Sequence, residues 1–118
     1  MTNPYGVPGF SAAEVAARRA RVEPFILLDV REPFELELAN LGDDVVNVPL
    51  SELAVRREAA LPPALADKDA EVIVLCHHGN RSAQVTAWLR SAGYTRVFNM
   101  DGGIDDWARA VDPSVGSY

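Results

Sequence analysis

At 118 residues and 48% apolar content, the chain is long enough for one domain with its own core, and this composition excludes a disordered or collagen-like polymer. A net charge of −6 argues against nucleic acid as a general partner, so an anionic ligand would have to be held by local features against the field of the whole protein. A lone cysteine makes no internal disulfide, which points to a reducing cytoplasm, and no apolar run is long enough to span a bilayer or form a secretory leader. Helical and strand patterns then alternate along the chain. Ser11 with Glu14 three positions later is a capping box ahead of a helix over 15–20. Residues 25–30 form a buried strand, and Pro33 opens a short helical stretch over 34–38. A turn over 40–44 leads into an extended segment at 45–48. Residues 51–60 are helical until Leu61-Pro62-Pro63 interrupts them.

Val72–Leu75 is a short β-branched run that reads as a fully buried strand. The polar turn Cys76-His77-His78-Gly79-Asn80-Arg81-Ser82 follows it, and then a helix over 83–90 with Val85, Trp88, Leu89 and Ala92 on one face and Gly93 past its end. A last strand over 95–100 and a helix over 104–110 complete the pattern, with Asp105 and Asp106 favouring that helix's start. Strand-helix alternation of this kind predicts an α/β fold, a central parallel sheet of about five strands with helices on both faces, spanning 1–118 as a single domain. Ligands of such sheets sit beyond the carboxyl ends of strands, which is where Cys76 lies.

A strand, a tight polar turn and a helix start make an anion cradle, because the first N–H groups of a helix have no partner within it and carry partial positive charge. Cys76, the only cysteine, sits at its entrance, where a thiolate is favoured. A lone cysteine at a strand end is usually structural, but a merely buried one needs none of the flanking His, His, Gly, Asn, Arg and Ser.

Four pieces of sequence follow one another in order: Leu27-Leu28-Asp29-Val30-Arg31-Glu32, then Asn47-Val48-Pro49-Leu50, the turn at 76–82, and Gly102-Gly103-Ile104 with Trp107. Together they resemble the rhodanese family over nearly the whole chain. One departure lies at 38–44, where the family often carries a Gly-His-Ile-x-Gly-Ala stretch; it touches a turn and leaves the cysteine loop alone. The resemblance implies a rhodanese-like fold and a thiosulfate sulfurtransferase-like enzyme with no cofactor. In that chemistry the Cys76 thiolate takes a sulfane sulfur from a small anionic donor such as thiosulfate, and a thiophilic acceptor removes it from the persulfide. Four residues separate Cys76 from Arg81, whereas related cysteine phosphatases carry five, so a phosphatase or arsenate reductase fits the loop less well. The stretch from Trp107 to Tyr118 resembles tails of rhodanese domains attached to E1-like adenylating proteins. A sulfur-acceptor protein or E1-like partner, and a partner-dependent sulfur-carrier module with little turnover of its own, therefore stay open.

Within the loop, Cys76 is the expected nucleophile, with His77, His78, Gly79, Asn80, Arg81 and Ser82 around the substrate. Gly79 supplies a backbone conformation or close approach that a side chain would block. Arg81 either faces the bound anion or braces the loop against a carboxylate, and Asp29 is a candidate for that carboxylate. Arg31 reads as a solvated surface arginine, with the substrate mouth as its alternative. Ser82 belongs at the helix start, satisfying loop N–H groups. His77 and His78 cannot both enter a small cradle, so one faces solvent or a partner. Three adjacent ligand types on one tight loop give poor tetrahedral geometry, so no metal is expected. Trp88 and Trp107 read as core packing. Many thiosulfate-specialised members carry Arg or Lys where this chain has histidines, which leaves the donor open.

Overall fold

The computed structural model describes Asn3 and residues 5–118. Among them five strands form one parallel sheet: β1 (Gly9–Ser11), β2 (Ile26–Asp29), β3 (Val46–Asn47), β4 (Val72–Leu75) and β5 (Val97–Asp101), in the order β1-β5-β4-β2-β3. Five α-helices connect or follow them: α1 (Ala12–Ala20), α2 (Pro33–Leu36), α3 (Leu50–Arg56), α4 (Asn80–Ser91) and α5 (Gly103–Ala110). The central strand β4 is buried along its whole length, as its unbroken apolar run predicts. It pairs with β2 from Ile26 opposite Val72 to Asp29 opposite Leu75, and with β5 on its other edge.

Alternate side chains of β4 feed two cores. Val72 and Val74 pack with Leu28, Leu53, Val85 and Leu89 beneath α3 and α4. Ile73 and Leu75 pack with Val15, Met100, Ile104 and Trp107 beneath α1 and α5. Helices thus cover both faces, and the carboxyl ends of β2, β4 and β5 converge at one edge of the sheet.

The capping box at α1 is present: Ser11 N–H donates to Glu14 Oε1 at 2.8 Å, and Glu14 N–H to Ser11 Oγ at 3.1 Å. The stretch expected to be one helix over 51–60 is α3 followed by a 3₁₀ turn at Arg57–Ala60, with the break at Arg57, whose φ is +53°. Helix α4 starts at Asn80, three residues earlier than its apolar face predicts, so Asn80, Arg81 and Ser82 form its first turn. Trp107 is buried, whereas Trp88 is only partly so, packing against the core while its remaining surface lines a shallow groove with Leu50 and Ala54. No helix among the described residues is long and apolar enough to cross a membrane.

Candidate active site

Cys76 follows β4 directly and is 1% exposed. Its Sγ accepts hydrogen bonds from Gly79 N–H at 3.1 Å and Ser82 N–H at 3.3 Å, and Ser82 Oγ lies 3.3 Å away. Three short contacts from a turn and a helix start therefore meet on one sulfur. Asn80 and Arg81, the first residues of α4, have N–H groups without partners inside the helix, which extends the positive field past the sulfur.

The turn has this shape because of Gly79. Its φ is +100°, and a Cβ there would sit 2.9 Å from Gly102 N, so both backbone conformation and space require glycine. Asn99, fully buried on β5, donates from Nδ2 to the Gly79 carbonyl at 3.2 Å and to Asp101 Oδ1 at 2.7 Å. From the opposite side α5 is docked onto the loop: Ile104 N–H donates to Cys76 O at 2.9 Å and Asp105 N–H to His77 O at 3.0 Å. At Gly103 any side chain would run into those same two carbonyls, which explains the paired glycines ahead of Ile104.

Arg81 is a brace, and its carboxylate is Glu35 of α2. The guanidinium donates through Nη1 and Nη2 to the two oxygens of Glu35 at 2.7 and 2.8 Å, a bidentate pair. Asp29 does not fill that role. It pairs instead with Arg31, whose Nη2 lies 2.8 Å from Asp29 Oδ2, with both side chains almost completely buried. Arg31 is therefore neither a surface arginine nor a residue of the substrate mouth. It sits inside the turn after β2, with Nη2 also donating to Ala39 O at 2.8 Å and Nη1 to Glu35 O at 3.3 Å. Charge is tolerated there because the partner and the carbonyls replace water.

The histidines divide as the crowding argument requires. His78 is largely exposed, while His77 is half-buried and stacked on Tyr118, with ring centroids 3.8 Å apart and planes 8° from parallel. Neither imidazole bonds to Cys76 Sγ among the described residues. Burial, reinforced by the neighbouring His78, pushes the His77 pKa below its ordinary value. Donor atoms of His77, His78 and Asp105 lie within 4.8 Å of one another, but Arg109 Nη2 already sits 3.0 Å from Asp105 Oδ2 and supplies the positive charge a cation would bring.

Bonding to Arg81, with further hydrogen bonds from Tyr118 and Glu32, holds the Glu35 carboxyl at about 2 instead of 4.5. A lowered folded-state value means the stabilisation is fully present above about 4.5 and is lost as pH falls towards 2. Its size is of order 1–3 kcal/mol, the lower part of that range reflecting the partial exposure of Arg81. Denaturant unfolding of wild type and Glu35→Gln between pH 7 and pH 2.5 should show a stability gap that narrows below pH 4.5. A gap of constant size would contradict the pairing.

A parallel α/β sheet with a buried cysteine at the carboxyl end of its central strand, cradled by a helix start, defines a small cysteine-loop domain. The chain belongs to the rhodanese-like domain family, whose model matches residues 11–110. It is 35% identical over 101 residues to a sulfurtransferase of Allochromatium vinosum, covering 86% of this chain and 88% of that one. It is 36% identical over 98 residues to the adenylyltransferase and sulfurtransferase MOCS3-1 of Zea mays, covering 81% of this chain and 20% of that one. Among solved structures, a rhodanese-related protein from Thermoplasma volcanium superposes with a TM-score of 0.71 at 30% identity, covering 88% of this chain and 93% of that one. Several curated relatives are longer proteins of which this chain spans less than a third.

Sequence patterns alone do not bring Glu35, Asn99 and Tyr118 to the site. Asn99 carries the one legible signal, a polar residue between the apolar Phe98 and Met100 within the last strand.

Proposed function

We propose that this chain is a sulfurtransferase that carries a sulfane sulfur on Cys76. The observation that supports it best is the convergence of the Gly79 and Ser82 N–H groups on a buried Cys76 Sγ, in a loop with four residues between Cys76 and Arg81, one fewer than in the related cysteine phosphatases. The similarity to a protein described as a sulfurtransferase points the same way. In the first half-reaction the Cys76 thiolate attacks the outer sulfur of thiosulfate. A new S–S bond forms, the old one breaks, and sulfite leaves with the bonding pair, so the negative charge passes to the outer persulfide sulfur. The N–H groups at the start of α4 stabilise that charge. In the second half-reaction an acceptor such as cyanide takes the outer sulfur as thiocyanate and the thiolate returns. Arg81, fixed by Glu35, orders the rim and adds positive charge for an anionic donor.

The whole 118-residue chain acts as one domain in this reading, needs no cofactor or metal, and works in a reducing cytoplasm, where its single thiol stays free. A partner-dependent sulfur carrier is the second reading, favoured by the similarity to a protein that joins adenylyltransferase and sulfurtransferase in its name.

Intact-mass measurement after incubation with thiosulfate tests both. Wild type should gain the mass of one sulfur, cyanide should remove it, and Cys76→Ser should never acquire it. An equal adduct on Cys76→Ser removes Cys76 from the mechanism, and no adduct on wild type favours the partner-dependent reading.

A further inference from the structure

Resting on the sulfurtransferase reading, we infer that Tyr118 is a positioning residue for the reaction: its hydroxyl sets Glu35, and through Glu35 the Arg81 guanidinium, while its ring fixes His77 on the loop. The phenol works as a relay. Its oxygen accepts from Arg31 Nη1 at 3.1 Å and donates to Glu35 Oε2 at 2.6 Å, and the same carboxylate takes both Arg81 nitrogens. The aromatic face covers His77, so one side chain touches both the second residue of the turn and the brace of its sixth. The segment leading to it is tied down before it arrives. Asn40 N–H donates to the Val115 carbonyl at 3.0 Å, and Asp112 Oδ1 accepts from Ser114 N–H at 2.9 Å.

The consequence is mechanistic. Glu35 has two oxygens to share among Arg81, Tyr118 and the Glu32 N–H, and only a carboxylate held from several sides keeps a partly exposed arginine in one orientation. Without the phenol Oε2 loses a donor, Arg31 Nη1 keeps only the longer bond to the Glu35 carbonyl, and the rim of the loop loosens.

Two variants separate the parts. Tyr118→Phe keeps the stack and deletes the relay, and Tyr118→Leu deletes both. Steady-state kinetics with thiosulfate, an NMR titration of His77 and a melting curve are measured on each. Tyr118→Phe should raise the thiosulfate KM about three- to ten-fold, the effect of one weakened charge-assisted contact, and should leave kcat within about two-fold. Its His77 titration should match wild type. Tyr118→Leu should also move the His77 titration upward towards about 6.5, because the ring regains water. The Tyr118 main chain, which favours the charged imidazole, and the His78, Asp105 and Glu35 side chains also set that titration, and neither variant deletes any of them.

A segment that merely packs would lower the melting temperature of both variants and leave KM and the His77 titration alone, and that outcome overturns the inference. If wild type gains no sulfur on Cys76, the sulfurtransferase reading fails separately. An unmoved His77 titration in Tyr118→Leu would then also refute the hold of Tyr118 on the loop.

Discussion

Insertion of one glycine between Gly79 and Asn80 is expected to slow persulfide formation at Cys76 by roughly 100-fold. Gly79 and Ser82 now address the same sulfur from positions three and six residues after it, the first from the turn and the second from inside α4. One added residue rotates the downstream part of the helix by about 100° and shifts it by about 1.5 Å along the axis. Either Gly79 leaves its anchor on Asn99, or Ser82 turns away from the sulfur. Losing one or two hydrogen bonds to an anion costs about 3 kcal/mol, which corresponds to a rate loss of about that size. The time course of sulfur addition by intact mass reads it directly. An insertion variant that loads sulfur at the wild-type rate would show that the converging N–H groups are not what stabilises the persulfide. Wild type should hydrolyse an aryl phosphate negligibly, and robust Cys76-dependent turnover of that substrate would favour the phosphatase reading.

How much of this was legible in the sequence depends on whether the physics was local. Val72–Leu75 reads as a buried central strand because four apolar residues in a row, three of them β-branched, fit little else. The capping box of Ser11 and Glu14 and the αL glycine at Gly93 are decided within a few residues. β1 is different. Gly9–Ser11 has no apolar run and becomes a strand only because β5 offers it an edge. Glu35 sits among Glu32 and Glu37 with nothing to mark it, and its pairing with Arg81 spans 46 residues of chain. Arg31 reads as solvated because arginines are almost never fully buried without a partner. Its partner, Asp29, is two residues away, but which way both side chains turn is set by the bend after β2 and by the carbonyls of Glu35 and Ala39. Placing the cysteine loop therefore needed only the sequence. Identifying its brace needed the fold.

The buried pair beneath that brace carries the largest expected effect on stability. Asp29→Ala should cost about 3–5 kcal/mol, because the Arg31 guanidinium cannot shed its proton and would stay charged inside the protein. The Asp29 carboxylate takes Nε and Nη2 of Arg31 and also its backbone N–H at 3.0 Å, so its removal breaks bonds from three donors at once and leaves only Nη2 with another acceptor, the Ala39 carbonyl. Against a total stability of about 5–15 kcal/mol, such a loss lowers the melting temperature by tens of degrees or unfolds the chain. Replacing both partners, Asp29→Leu with Arg31→Met, should cost less than Asp29→Ala alone, since no uncompensated charge remains. The comparison separates a buried ion pair from simple loss of packing. Asp29→Ala melting within a degree or two of wild type, or the double variant proving less stable than the single, would contradict the burial of that charge. Where the single variant still folds, α2 should shift, because Arg31 reaches the Glu35 and Ala39 carbonyls at either end of that turn. Glu35 would then hold Arg81 less firmly, so sulfur loading should slow together with the fall in stability.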